Sequence, residues 1–157
     1  MCGRIRQNRG FKERQERFDV EDFSERAPLF HRYDLAPTLP VHAIRLNDEG
    51  DREICELVWE FVPSWAAELG KMSAPINARS DGVTTKPTFR HAFKRRRCII
   101  PVVGFYEWKR EGSSKQPFHF ATKDGLFPIA GVGDHRERDG RAARRFLATH
   151  STERRRL

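Results

Sequence analysis

The stretch CIIPVVGFYEW, residues 98–108, is apolar almost throughout and predicts a buried β-strand. The preceding stretch TFRHAFKRRR, residues 88–97, places Phe89 and Phe93 four positions apart, which is the spacing of one helical face. Thr88 is the predicted N-cap of that helix. A short helix that leads into a buried strand indicates a domain in which both kinds of element share one core.

Residues on the carboxyl-terminal side of this stretch predict further strands. Residues 109–117, KREGSSKQP, are typical of a hairpin loop. Residues 118–132 predict two strands around a turn at 123–125. The charged segment 133–145 predicts a loop, and residues 146–149 predict the start of another strand.

Residues on the amino-terminal side add a helix and more strands. FKERQERF, residues 11–18, predicts a short amphipathic helix because its two phenylalanines are seven apart. Residues 33–46 predict a loop that enters a strand, residues 52–61 predict a strand after a turn at 47–51, and residues 64–70 predict a short helix. Strands interspersed with short helices predict an α+β fold.

Length and charge set limits on the function. A chain of 157 residues with 38% hydrophobic residues predicts one domain with a true core. The net charge of +8 and the pI of about 9.9 suggest a polyanionic partner such as nucleic acid, although general basicity is an alternative explanation. Residues 134–157 hold eight arginines and four acidic residues, so half of the excess charge lies there.

The cysteines and the amino-terminal residues predict a compartment. Cys2, Cys55 and Cys98 are odd in number and form no CxxC pair, which argues against a disulfide framework and against a zinc site. The first 18 residues contain no apolar leader, and no stretch approaches the length of a membrane span. These features predict a cytoplasmic protein that binds no metal.

Cys2 follows the initiator methionine and is small enough for that methionine to be removed. Removal leaves a free α-amine and a thiol on adjacent carbons, although a cysteine can occupy this position by chance. Arg4 beside it can lower the pKa of the thiol or bind a phosphate. A solvated arginine on the surface is the alternative.

Two further stretches carry side chains suited to catalysis or binding. Asn77 and Arg79 lie on one side if NARSD is extended, although a turn with an exposed arginine explains the spacing equally well. Glu107 stands among aromatic residues, where partial burial would raise its pKa towards a range useful for proton transfer. The alternative places Glu107 on a solvent-facing side of the strand.

Aromatic residues in WEFVPSW, residues 59–65, have two explanations. Trp59 is a candidate core residue. Trp65 follows a turn and can stack on a base, although an indole that fills the core is the usual case.

Taken together and in this order, the motifs closely resemble the SRAP (SOS-response-associated peptidase) family over residues 1–133. The matching motifs are MCGR, RYDLAPT, WEFVPSW, INARSD, KPTFRHAFKRRRCIIPVVGFYEWK and KQPFHF. The resemblance implies one domain with a strongly bent, barrel-like sheet of mixed and antiparallel strands and short flanking helices. It also implies an abasic-site sensor that acts on single-stranded DNA, without a cofactor and as a monomer.

The family's chemistry implies a role for each matching residue. The α-amine of Cys2 would form a Schiff base with the opened abasic sugar, and the thiol would then close a thiazolidine ring. Asn77 and Glu107 would assist at the sugar, the first by hydrogen bonding and the second by proton transfer. The remaining matches would contact the DNA strand: Arg4 and Arg79 at phosphates, and Pro37, Trp65 and Trp108 along its path. The word peptidase would then describe processing of the protein's own amino terminus.

Two departures from the family pattern generate further expectations. Asp34 stands where the family usually has Asn, and its negative charge is mildly unfavourable near DNA. A histidine motif expected after residue 150 is not found, which predicts an SRAP-like domain at 1–133 that lacks its last strands, followed by a divergent Arg-rich tail at 134–157. An inactive remnant, or a basic module that binds single-stranded DNA without catalysis, is the competing hypothesis.

Overall fold

The computed structural model describes residues 3–20, 22–23, 32–63, 74–138 and 141–150. Within these ranges the chain forms eleven strands and three short helices, so the predicted α+β fold is confirmed. In chain order they are β1 (Arg4–Gln7), α1 (Phe11–Phe18), β2 (Asp22–Phe23), β3 (Arg32–Leu35), β4 (Pro40–Leu46), β5 (Arg52–Trp59), β6 (Asn77–Arg79), α2 (Ser80–Val83), α3 (Pro87–Arg95), β7 (Arg97–Val102), β8 (Gly104–Glu111), β9 (Ser114–Phe120), β10 (Phe127–Arg138) and β11 (Arg141–His150).

Five strands close into a mixed barrel in the order β5, β4, β7, β10 and β11. Each pair of neighbouring strands in this order is antiparallel. The barrel closes where β11 pairs parallel to β5, with Arg145 opposite Val58 and Phe146 opposite Trp59. Beyond this seam β11 continues alongside β6, which places Ala148 opposite Asn77. Asn77 therefore lies where β11 passes the end of β5.

A second sheet of four antiparallel strands has the order β3, β1, β8 and β9. The sequence predicted a single strand at 98–108, and this prediction is wrong. The residues form two strands, of which β7 belongs to the barrel and β8 to the second sheet. The chain crosses between them at Val103, whose N–H donates to the carbonyl oxygen of Arg6 at 2.8 Å. Gly104 permits the crossing, since a Cβ there would lie 2.7 Å from the carbonyl oxygen of Phe120.

Two predicted loops are largely strand. Residues 133–145, expected to be a loop because of their charge, belong mostly to β10 and β11, which pair from Gly131 opposite Ala148 to Arg138 opposite Arg141. The hairpin loop expected at 109–117 shrinks to residues 112–113. Strand pairing uses backbone groups, so a partner in register overrides the weak preferences of charged side chains.

Helices α1 and α3 agree with the sequence prediction apart from one cap, α2 was not predicted, and the helix predicted at 64–70 lies outside the described residues. Phe11 and Phe18 of α1 pack against a cluster of Val20, Ile44 and Ile54, as their spacing predicted. The predicted cap at Thr88 is wrong, because α3 begins at Pro87 after Lys86. Proline suits the first helical position, where its missing N–H has no partner to lose. No helix in the described part of the chain is long and apolar enough to cross a membrane.

One residue of α1 departs from the predicted surface pattern. Arg14 is 1% exposed, and its guanidinium donates to Nδ1 of His42 at 2.5 Å. Burial lowers the pKa of Arg14. Gln7 completes this buried polar network, because its amide donates to the carbonyl oxygens of His42 and Pro101. The network joins α1 to the second sheet and the barrel.

The main core lies between the barrel and the second sheet. It includes Ile5 and Leu35 from the second sheet and Trp59, Ile100 and Phe146 from the barrel. Trp59 is fully buried and stacks on Phe146 with ring centroids 6.2 Å apart, so its candidate assignment to the core is confirmed. A second cluster underlies α2 and α3 and contains Phe61, Ala78, Val83, Phe89, Ala92, Val132 and Leu147.

Candidate active site

The pairing of β1 with β8 brings the amino-terminal strand beside Glu107. Arg4 lies opposite Tyr106, Ile5 opposite Phe105 and Arg6 opposite Gly104. At the end of this paired stretch Gly3 precedes Arg4, and Glu107 follows Tyr106. Cys2 itself lies outside the described residues.

Glu107 is half-buried on the core-facing side of β8. Side chains alternate along a strand, so Glu107 shares its face with Phe105, which packs against the main core. Phe105 also stacks on Phe120 of β9 at 5.2 Å, and Phe118 lies opposite Glu107 in the same pairing. The half-buried carboxylate therefore lies on the side of β8 that carries Phe105, across from Phe118, which is 45% exposed.

Asn77 is held at the edge of the barrel by hydrogen bonds to the residue before it. The carbonyl oxygen of Ile76 accepts from the backbone N–H of Ala148 at 3.0 Å and from the indole N–H of Trp59 at 2.8 Å. Ala78 is buried in the second core cluster, so Asn77 and Arg79 share the opposite side of β6. The predicted placement of these two residues on one side is confirmed.

Residues close in sequence to Asn77 and to Glu107 pack against the same core cluster. Ile76, adjacent to Asn77, and Phe105, two residues before Glu107, both pack against the main core cluster. Asn77 offers an amide that can donate and accept hydrogen bonds, and Glu107 offers a carboxylate that can exchange protons.

The turn between β3 and β4 is hydrogen-bonded to Trp59. The N–H of Thr38 donates to the carbonyl oxygen of Trp59 at 2.9 Å, and the N–H of Trp59 donates to the carbonyl oxygen of Leu39 at 3.1 Å. Pro37 is half-buried in this turn. Trp59 therefore holds the turn through its backbone and the Asn77 strand through its indole.

Arg4 carries an ion pair that the sequence analysis did not anticipate. Its guanidinium lies 2.6 Å from a carboxylate oxygen of Asp34 on the neighbouring strand β3. The sequence showed an unusual acidic residue at position 34. Only the pairing of β1 with β3 brings this carboxylate beside Arg4. Asp34 partly neutralises the arginine that the resemblance assigned to a phosphate.

Arg79 is paired in the same way. Its guanidinium donates to both carboxylate oxygens of Asp81, at 3.1 and 2.6 Å, and both side chains are more than half exposed. This hydrogen bonding raises the pKa of Arg79 and lowers the pKa of Asp81. Both candidate phosphate-binding arginines, Arg4 and Arg79, thus form an ion pair with an aspartate.

The two remaining candidates differ in what the structure describes. Trp108 is 42% exposed and shares a face of β8 with Tyr106, opposite the face that carries Glu107. The Tyr106 ring lies 4.9 Å from the ring of His119 on β9. Trp65 lies outside the described residues. The residues 3–7 and 104–108 therefore meet, while Arg79 stands at the barrel edge.

Comparison with known proteins supplies the family. Residues 1–153 match the model of the SOS response associated peptidase (SRAP) family. The chain is 35% identical over 134 residues to abasic site processing protein YoaM of Bacillus subtilis, covering 84% of this chain and 59% of that protein. It is 31% identical over 153 residues to abasic site processing protein YedK of Escherichia coli, covering 94% of this chain and 66% of that protein.

A solved structure agrees with these sequence matches. A protein from Bacteroides thetaiotaomicron superposes with a TM-score of 0.81 at 25% identity, covering 96% of this chain and 68% of the other. The chain spans about three fifths of the length of the Bacillus relative, 59%.

Proposed function

The chain belongs to the SRAP family, and on that basis we propose that it captures abasic sites in single-stranded DNA through Cys2 after removal of Met1. The relatives described above are named abasic site processing proteins, which supports DNA as the partner. The net charge of +8 supports a polyanionic ligand. The alternative is a basic module that binds single-stranded DNA without forming a bond.

The observation that carries the proposal is the pairing of β1 with β8. Arg4, the first paired residue of β1, lies opposite Tyr106, which precedes the half-buried Glu107, and Cys2 stands two positions before Arg4 in the sequence. An N-terminal amine needs a nearby group that donates and accepts protons, because carbinolamine dehydration and ring closure each move a proton.

The proposed reaction balances in two steps. The α-amine of Cys2 adds to the C1′ aldehyde of the opened sugar, and loss of one water leaves an imine. The Cys2 thiolate then adds to the same carbon while the imine nitrogen takes a proton, which closes a five-membered thiazolidine. An α-amine has a pKa of about 8, so a larger fraction is neutral at pH 7 than for a lysine. Glu107 would move the protons, and Asn77 would orient the sugar.

Intact mass spectrometry tests this proposal. The protein is incubated with a single-stranded oligonucleotide that contains one abasic site, and the mass is measured after heating. We expect the mass of the protein without Met1 plus that of the oligonucleotide less one water. Cys2→Ala should give no heat-stable adduct and should still bind the oligonucleotide.

Cys98→Ala is the matched control, because Cys98 is buried in the barrel and should not take part. This variant should form the adduct at the wild-type level. A heat-stable adduct that Cys2→Ala forms equally well would disprove the thiazolidine. Binding without any adduct in the wild type would favour the non-catalytic alternative.

A further inference from the structure

A groove on the outer side of the barrel combines an apolar floor with a group of arginines. Its volume is about 440 Å³. It lies between the end of α1, the last residues of β4 and the first residues of β7. Nothing in the chemistry proposed above uses this groove.

The floor of the groove comes from the small core cluster beneath α1. Ile44 of β4 lies opposite Ile99 of β7, and Phe18 of α1 packs on the same cluster. Leu46 follows Ile44 by two residues and so lies on the same side of β4, where it is 61% exposed. A single exposed leucine is ordinary on a protein surface, but this one extends an apolar floor inside a groove.

Four arginines line the groove: Arg17, Arg45, Arg52 and Arg97. Two of them are held by carboxylates, Arg45 by Glu53 at 2.5 Å and Arg52 by Asp19 at 3.1 Å. Arg17 and Arg97 are exposed and form no ion pair with any described residue. Four arginines and two carboxylates leave a net charge of +2 at the groove.

The groove lies at the opposite end of β4 from the candidate active site. β4 runs from Pro40, opposite Val58, to Leu46, opposite Arg52. Six steps of about 3.3 Å along a strand span roughly 20 Å. Trp59, which holds the residue before Asn77, follows Val58, so a ligand in the groove leaves the candidate active site open.

We propose that this groove binds a short acidic peptide segment of a partner protein. Carboxylates of the peptide would pair with Arg17 and Arg97, and an apolar side chain would cover Leu46 and Ile99. Arginine binds a carboxylate through two parallel N–H donors, and clusters of arginines recognise acidic motifs in peptides. A phosphate backbone would pair with the arginines but leave the apolar floor in water, so the floor favours a peptide. The proposal does not depend on the chemistry at Cys2.

Fluorescence anisotropy on the full chain tests this proposal. The probe is a fluorescein-labelled peptide of three aspartates followed by leucine and phenylalanine. We expect saturable binding that weakens as salt is added. Arg17→Ala and Arg97→Ala should each lower the affinity about tenfold, the scale of one charge-assisted hydrogen bond. Leu46→Ser should lower it by a similar factor, and Leu46→Met should retain it.

Two controls separate this groove from general basicity. Arg90→Ala removes an exposed arginine of α3 that does not line the groove, and it should bind the peptide like the wild type. A peptide with asparagine in place of each aspartate keeps the apolar residues and should bind at least tenfold more weakly.

Equal binding of the aspartate and asparagine peptides would overturn the proposal, as would unchanged affinity in both Arg17→Ala and Arg97→Ala. An unlabelled single-stranded oligonucleotide that displaces the peptide, and that itself loses about tenfold in affinity with Arg97→Ala, would assign the groove to nucleic acid instead. Adduct formation through Cys2 is measured separately, so a failure here leaves the proposed function standing.

Discussion

The indole N–H of Trp59 donates a hydrogen bond of 2.8 Å to the carbonyl oxygen of Ile76, the residue immediately before Asn77. The backbone of the same tryptophan bonds to Thr38 and Leu39 in the turn after β3. One buried residue, through its side chain and its backbone, therefore joins two segments from different parts of the sequence.

Trp59→Phe should remove the indole bond while keeping an aromatic ring on Phe146. Ile76 keeps its bond from Ala148, so the lost hydrogen bond should lower the free energy of unfolding by about 1 kcal/mol, and the cavity left by the smaller ring should lower it further. The rate of adduct formation should fall more than the affinity for DNA, because Asn77 loses part of its support. Urea unfolding and single-turnover kinetics measure the two effects. Equal losses of rate and affinity would contradict a positioning role for Trp59.

Asp34→Asn should strengthen binding to single-stranded DNA by releasing Arg4 from its ion pair. The pair is exposed, so the free energy of unfolding should change by less than about 1 kcal/mol. If the freed Arg4 contacts one more phosphate, the slope of log affinity against log salt should steepen by about 0.7. Salt titrations by fluorescence anisotropy measure this slope. An unchanged slope would show that Arg4 contacts no phosphate and is an ordinary surface residue.

Arg79→Ala should weaken binding and flatten the salt dependence by roughly one counterion. Asp81→Asn should do the opposite, because it frees the arginine of its bidentate partner. Arg90→Ala, which removes an exposed arginine of α3, is the matched control. If all three variants share one salt slope, Arg79 does not contact a phosphate.

The ion pair of Arg79 should persist across the pH range used for binding. Hydrogen bonding to Arg79 lowers the pKa of Asp81 below its ordinary value of 3.8, so the carboxylate stays charged above that pH. The pair should break only as the pH falls through this lowered pKa.

Cys98 should resist alkylation in the folded protein at pH 8. Burial, and secondarily the neighbouring Cys55, raises the pKa of the Cys98 thiol above its ordinary value of 9.0. The unfolded chain ionises first as the pH rises above 9.0, so the free energy of unfolding should fall there by up to about 1.4 kcal/mol per pH unit. Urea midpoints at pH 8 and 10, with Cys98→Ala as the reference lacking this thiol, measure the effect. Rapid labelling of native Cys98 would contradict its burial.

Local patterns in the sequence predicted several elements correctly for identifiable reasons. The two phenylalanines of α1 and the apolar run of β7 follow helical and buried-strand periodicities, which depend on neighbours a few residues away. The division at Val103 could not be predicted in this way. It depends on a hydrogen bond to Arg6, nearly a hundred residues earlier in the chain.

The sequence by itself determined the family, the mixed fold class and the residue types suited to amine and thiol chemistry at Cys2, Asn77 and Glu107. These follow from residue identity and short-range spacing, which the order of the chain contains directly. Tertiary structure alone decided that Arg4 pairs with Asp34 and that Trp59 holds both Thr38 and Ile76. Such contacts join strands far apart in sequence, and only the register of the folded sheets selects which side chains and carbonyl groups come within hydrogen-bonding distance.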